Sequence, residues 1–368
     1  MSSTFGSPRS VSDIGNAMDY ALDEATNGPQ FGPNPRVGCV LLAPASDNEL
    51  RRHIIAGGWH EGAGTPHAEV AAITDARLRG IDTRGATAVV TLEPCNHTGL
   101  TKPCTDALLN AGITEVVYAI DDPGADSGGG ADYLRARGVH VWQIKDEMIL
   151  EEARELVLRW YHAIKTGRPY VTVKLAMSLD GRIAAADGTS QWITGLASRR
   201  HGHVVRSTVD AIAVTTGTAL HDNPSLTARD EADNLAAHQP LRVVVGMRDL
   251  PADANLYGPG GDLLHLRTHD VHAVLAALQD RQIRHLLVEG GPALTTALFA
   301  AGLVDEIHVY IAPVLLGAGT EAVSDFGITT LADAPRWHNI IGHREGEDAF
   351  FIVRTAPRTW VFDLEADE

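Results

Sequence analysis

Disulfide chemistry has little to work with in this chain. Three cysteines in 368 residues, an odd number, make a poor bridge framework, and a reducing, cytoplasmic setting is expected. Nor is there an uncharged apolar run of about 18 residues, so no membrane span is expected. Met1 to Ser10 has no apolar core, and no signal peptide is expected there. Basic residues are in deficit. Thirty Lys and Arg against 47 Asp and Glu leave a net charge of −17. That argues against a large nucleic-acid footprint, though not against a local basic pocket for a phosphate. No G-x-G-x-x-G follows an expected strand, so a Rossmann reading has no support. No internal repeat or low-complexity tract is present. What remains is an ordinary globular composition, 44% hydrophobic and 21% charged, long enough for two domains with a core each.

The punctuation of the chain supports two layered α/β units. In the first, helices are expected at 11–27, 66–79, 104–111 and 131–137, with Pro66 at a first helical position. Strands are expected at 37–43, near 53–57, and at 86–92, 115–120 and 139–144. Asp121 to Gly130 reads as a Gly/Asp-rich loop. An amphipathic helix over 146–165 ends at Lys165-Thr166-Gly167-Arg168-Pro169. The division is placed there: residues 1–145, a linker helix 146–168, and a second domain 169–368. In the second domain strands are expected at 170–176, 210–214, 241–245, 263–267, 285–288, 305–311 and near 349–354. Helices are expected at 197–207, 271–280 and 292–301, and 229–240 reads as a polar loop.

The chemistry of the first half concentrates in Pro66-His67-Ala68-Glu69-Val70, Glu93-Pro94-Cys95 and Pro103-Cys104. One imidazole, two thiols and one spare carboxylate match a catalytic zinc site with three protein ligands, His67, Cys95 and Cys104. The H-x-E…P-C…C pattern is that of zinc nucleobase deaminases, in which the glutamate moves protons and does not ligate. Positions i and i+2 share no helix face, so His67 and Glu69 can converge only at a helix entrance. Both thiols are expected at helix N-termini, where thiolate is favoured. Cys39, in the apolar run Val37 to Leu42, reads as a buried small hydrophobe. A structural site is usually closed by four ligands; a fourth thiol is available only as Cys39, outside the motif, and Glu69 would then have no role.

The eight residues between Cys95 and Cys104 depart from the two usual in such deaminases. With Asn34-Pro35-x-Val37-Gly38 and the His67/Glu69 motif, that spacing closely resembles the bifunctional deaminase/reductase family of bacterial riboflavin biosynthesis. The resemblance implies a cytidine-deaminase-like α/β/α first domain and a dihydrofolate-reductase-like second domain. It implies that Asn34, His60 and His97 line a pyrimidine nucleotide pocket. Family members usually carry a basic residue where this chain has Leu100, and a proline where it has Lys102. Lys102 is taken to supply the displaced charge.

The second half carries the resemblance on. Its matches are Lys174 to Arg182, Gly188 to Thr194, Asp210-Ala211-Ile212, Asp222 to Thr227 with Arg229, and Leu287 to Pro292. Leu286 to Glu289 followed by Gly290-Gly291 and Pro292 makes a strand, a glycine pair and a helix start suited to a pyrophosphate. The resemblance places Ala176, Trp192, Thr218, Asp222, Gly291, Pro292, Ala293, Leu294, Thr295, Thr296 and Ala297 at a nicotinamide cofactor, NADPH. It places Ser190, Arg206, Leu226, Arg229 and Glu289 at the substrate, where two arginine forks would suit a sugar phosphate. A solvated helix face is the alternative for Arg206. The expected activity is zinc-dependent deamination of 2,5-diamino-6-(5-phosphoribosylamino)pyrimidin-4-one, then NADPH reduction of its ribosyl group to ribityl. The expected partner is that small nucleotide, with no nucleic acid or membrane, in a homo-oligomer. Two rivals stand beside this: a cytidine- or tRNA-adenosine-type deaminase with an unrelated second domain, and a non-enzymatic zinc-stabilised binding module.

Overall fold

The computed structural model describes residues 9–11, 13–44, 52–98 and 102–354. Contacts along the chain fall into two units, Met1–Lys165 and Thr166–Glu368. Unit 1 runs β1 (Arg9–Val11), α1 (Ile14–Thr26), β2 (Gly38–Leu42), β3 (Arg52–Trp59), α2 (Ala68–Leu78), β4 (Thr87–Leu92), α3 (Cys104–Asn110), β5 (Glu115–Ile120), α4 (Gly130–Arg135), β6 (His140–Gln143) and α5 (Glu147–Thr166). Its sheet has the order β1-β3-β2-β4-β5-β6. The β2–β3 and β2–β4 pairs are antiparallel, and β4–β5 and β5–β6 are parallel. Strands β2 and β4 are buried along their whole length, which explains their unbroken apolar runs.

Two glycines fix the layers. A β-carbon on Gly38 would lie 1.9 Å from the Ala21 carbonyl oxygen of α1, and one on Gly58 would lie 2.6 Å from the Ala72 nitrogen of α2. Gly58 pairs across the sheet with Cys39, the residue after Gly38. Successive residues point to opposite faces, so α1 and α2 cover opposite sides of the sheet. Helix α1 begins at Asp13, whose carboxylate accepts from the Asn16 backbone N–H at 2.9 Å. Cys39 is fully buried, as expected.

Unit 2 comprises β7 (Tyr170–Ser178), β8 (Arg182–Ala185), α6 (Leu196–Arg206), β9 (Ala211–Thr215), α7 (Thr216–Asp222), β10 (Leu241–Val245), β11 (Leu263–Leu266), α8 (Val271–Gln279), β12 (His285–Val288), α9 (Pro292–Ala300), β13 (Glu306–Ala312), β14 (Gly319–Glu321), β15 (His338–Glu345) and β16 (Asp348–Arg354). Eight strands form one sheet in the order β11-β10-β9-β12-β7-β13-β16-β15, and β14 pairs with β8 in a separate ribbon. The sheet is parallel from β11 to β13 and antiparallel over the β13-β16-β15 edge. Alternate residues feed two cores. Ala211, Ala213, Val243 and Val245 pack with α8 and α9 residues such as Leu278 and Leu294. Ile212, Val214 and Val244 pack with Val205 of α6 and Ala219 of α7.

The expected elements form within a few residues of their sequence positions. Sequence reasoning missed β1, β8, α7, β14 and β15. Four of these are strands at sheet edges or in the small ribbon, where pairing decides and no alternation is required. Helix α7 opens on Thr-Gly-Thr, which reads as a turn. It forms because Thr215 Oγ1 accepts from the Thr218 N–H at 3.1 Å. Among the described residues no helix is long and apolar enough to cross a membrane.

Candidate active sites

In unit 1 the entrance of α2 brings the metal-binding side chains together. Pro66 does not take the first helical position. His67 is the N-cap, in extended backbone, and the helix starts at Ala68. Glu69 lies in the first turn of the helix and is only 3% exposed. His67 Nδ1 lies 3.4 Å from Cys95 Sγ and 3.3 Å from Cys104 Sγ. The three ligand atoms lie within 4.8 Å of one another, the only such group among the described residues.

Zinc fits this set. Bond lengths of ~2.0 Å to nitrogen and ~2.3 Å to sulfur at a tetrahedral angle place N and S about 3.5 Å apart, close to the observed separations. Cys39 stays outside the group, so three protein ligands leave a fourth position open.

Cys104 is the first residue of α3, as expected, but Cys95 lies in no helix. It reaches the same helix end through space, its sulfur accepting from the Cys104 backbone N–H at 3.5 Å. The loop after β4 is held by Glu93, which accepts from the Ala131 and Asp122 N–H groups at 2.8 and 3.2 Å. The Cys104 thiol, followed by the His67 contact, favours thiolate at Cys95, lowering it to about 4 against burial. Its bond to that thiolate, together with burial, pushes Cys104 up. Burial, then the Cys95 charge, raises Glu69 to about 7. A divalent cation on the same atoms acts against that rise.

Asn34 and His60 meet at 2.9 Å, Nδ2 to Nε2. The His60 and His67 ring centroids are 5.2 Å apart, edge to face, so the pair borders the metal centre. His97 is half-buried, and its Nδ1 has no hydrogen-bond partner among the described residues. Lys102 is exposed just before Pro103. Leu100 lies outside the described residues.

In unit 2 a cavity of about 650 Å³ opens between α6, α7 and the 224–233 loop. Trp192, Thr218, Asp222, Arg206, Leu226, Arg229 and Glu289 line it. Ser190, Ala176 and residues 291–297 do not. Glu289 is the electrostatic centre. Arg206 grips it through Nε at 2.7 Å and Nη2 at 2.9 Å, and Lys174 Nζ lies 3.3 Å away. Burial opposes its ionisation, but the Arg206 and Lys174 charges outweigh burial and hold the carboxyl at about 2.

Arg206 is therefore no solvated helix face. Its Nη1 also donates to the Thr227 carbonyl at 3.0 Å. Three of its five donors are used inside the protein, so its fork is turned to Glu289 and not to a ligand phosphate. Arg229 is half-buried, with Nη1 donating to the Asp233 carbonyl at 2.6 Å. Leu226, 4% exposed, holds a left-handed φ of 53° at the cavity wall, a costly conformation for a branched residue. At the end of β12, Gly291 has φ 81°, and a β-carbon there would lie 2.5 Å from Thr215 Oγ1. Glycine is thus required where Pro292 opens α9.

Residues 12–120 match the cytidine and deoxycytidylate deaminase zinc-binding region, and residues 169–341 match the RibD C-terminal domain. The riboflavin biosynthesis protein RibD of Mycobacterium tuberculosis H37Rv is 44% identical over 330 residues, 89% of this chain and 93% of that protein. The chain belongs to the RibD family. RibD of Escherichia coli K12 is 38% identical over 83% of this chain and 89% of that protein. The solved deaminase/reductase of Thermotoga maritima superposes with a TM-score of 0.80 at 29% identity, covering 93% of this chain and 98% of that one. An unrelated second domain is excluded, because RibD relatives match across both halves.

Lys174 is a charged cavity residue that sequence reasoning did not assign to the site. Its signal was present: a lysine inside the apolar strand Tyr170 to Ser178 rarely stays buried without a partner. The partner, Glu289, lies 115 residues away.

Proposed function

We propose that this chain performs two successive steps of riboflavin biosynthesis, each in its own domain. The first hydrolyses the 2-amino group of 2,5-diamino-6-(5-phosphoribosylamino)pyrimidin-4-one. The second reduces the ribosyl group of the product to ribityl. The observation that carries the reading is a three-ligand metal set beside a buried carboxylate that ligates nothing, in the same chain as the Glu289 cavity. Residues 1–145 are assigned to the deaminase, 146–168 to a linker helix and 169–368 to the reductase. A cytoplasmic homo-oligomer with no nucleic-acid or membrane partner completes the proposal.

Bound through His67, Cys95 and Cys104, zinc supplies Lewis acidity and water activation at neutral pH. Glu69 takes a proton from the attacking water and delivers it to the departing amine. Atoms balance as water and amine in, carbonyl and ammonia out. Asn34 and His97 hold the base, and Lys102 faces the phosphate. In the second domain NADPH supplies a hydride. Trp192, Thr218, Asp222, Ala176 and residues 291–297 bind that cofactor. Leu226, Arg229, Ser190 and the Arg206–Glu289–Lys174 cluster orient the sugar.

A coupled assay tests the whole. Ammonia release from the diaminopyrimidine nucleotide should precede substrate-dependent NADPH oxidation, one of each per turnover. Metal content without ammonia release would end the reading.

Two variants test the pockets. Arg229→Ala should weaken substrate binding and leave NADPH affinity nearly unchanged. A fall in NADPH affinity with substrate affinity intact would move Arg229 to the cofactor side. A hydrogen bond to a charged group is worth ~1.5–3 kcal/mol, so Lys102→Ala should lower deaminase kcat/KM roughly ten- to hundredfold. Leu100→Lys should recover part of that loss, and rising salt should weaken the wild type more than the alanine variant. Wild-type kinetics of Lys102→Ala at low salt would remove Lys102 from the site.

A further inference from the structure

The Asn34–His60 hydrogen bond has a direction, and its surroundings decide it. His60 Nδ1 lies 3.0 Å from the Pro66 carbonyl oxygen, which can only accept. It lies 3.5 Å from Thr65 Oγ1. That hydroxyl has one proton, donated to the Gly62 carbonyl at 2.7 Å. Toward His60 it too can only accept. Two acceptors facing Nδ1 place the ring proton there. The ring is 4% exposed, and the Asn34 amide turns Nδ2 toward Nε2 at 2.9 Å. Nε2 is then acceptor-only, and Asn34 must turn its NH₂ toward it. The opposite amide orientation would set two lone pairs against each other at 2.9 Å.

One amide N–H is consumed in this way. The other N–H and Oδ1 of Asn34 remain, with no partner among the described residues. A donor beside an acceptor complements an N–H beside a C=O, the amide-like edge of a pyrimidin-4-one.

We propose that His60 is a positioning residue that contacts no substrate: held as the Nδ1–H tautomer by Pro66 and Thr65, it fixes the Asn34 amide so that its Oδ1 and remaining N–H read the oxo edge of the base. The proposal rests on the deaminase reading above and names the feature that the site selects. A 4-amino pyrimidine presents the reversed pattern and meets donor against donor. The contact between Pro66 and His60 also ties this reader to the residue preceding the metal ligand His67, so base register and metal position share one scaffold.

The test uses the full-length zinc-loaded enzyme. A two-bond ¹⁵N–¹H spectrum of histidine-labelled protein should show His60 with its proton on Nδ1. A proton on Nε2 would overturn the proposal. Kinetics would be measured with the diaminopyrimidin-4-one nucleotide and its 4-amino analogue. His60→Phe should raise KM for the oxo substrate about tenfold and erase most of the preference over the amino analogue, with zinc content unchanged. His60→Gln, whose Oε1 can accept from Asn34, should restore most of that preference. A His60→Phe enzyme that folds, holds zinc and discriminates like the wild type would overturn the proposal alone. A wild type that releases no ammonia would instead remove the deaminase reading beneath it.

Discussion

Glu69→Gln is expected to keep its zinc and to lose ~10²–10⁴ in deamination rate, the range typical of a general acid–base group. Glutamine matches the carboxylate in size and keeps a hydrogen-bonding oxygen at the buried entrance of α2. It cannot take up a proton. The metal should stay because the ligand atoms come from His67, Cys95 and Cys104, and Glu69 is not among them. Reduction of already deaminated substrate should be unaffected, since those residues lie in the other unit. Metal analysis, ammonia release and NADPH oxidation on one preparation check all three points. Loss of zinc from the variant would make Glu69 a ligand and would overturn its proton-transfer role.

Glu289→Gln should cost both reductase activity and stability. The carboxylate is 6% exposed and faces Arg206 and Lys174, whose side chains are 18% and 21% exposed. Glutamine leaves two mostly buried cations side by side with no counter-charge. Breaking such a cluster costs ~3–5 kcal/mol. The pH dependence separates this from a packing defect. Glu289 titrates at about 2 in the fold against 4.5 for the free side chain. Between those values the unfolded chain binds more protons than the native one, so stability from this group is complete above about pH 4.5 and is lost as pH falls toward 2. A shift of that size corresponds to ~3 kcal/mol. Urea unfolding of wild type and variant should differ by about that amount at pH 7, by less than half of it at pH 3, and converge only as the pH falls to about 2. An equal difference throughout would show that shape, not charge, holds the cluster.

Both predictions concern carboxylates beside other ionisable groups, but the sequence exposes them unequally. Glu69 is legible because its partners are local in pattern: two residues from His67, with cysteines after prolines. The Glu289 cluster is not legible from spacing. Lys174, Arg206 and Glu289 come from β7, α6 and the end of β12. A parallel sheet sets such residues side by side through crossovers that leave no periodic trace.

By itself the sequence determined most of the longer elements, the metal-binding inventory and the family. A continuous apolar run such as Thr87–Leu92 reads as a buried strand, and Gly and Pro punctuation marks where elements end. These are local facts, carried by neighbours along the chain. Tertiary structure alone decided the rest. It put His67 at an N-cap and Pro66 outside the helix. It brought Cys95 to the end of α3 without a helix of its own. It turned the Arg206 fork inward to Glu289, and it oriented the Asn34 amide through His60. Each depends on where a carbonyl, an N–H or a charge from a distant segment comes to lie, and hydrogen-bond direction is set by that partner and not by the residue's own type.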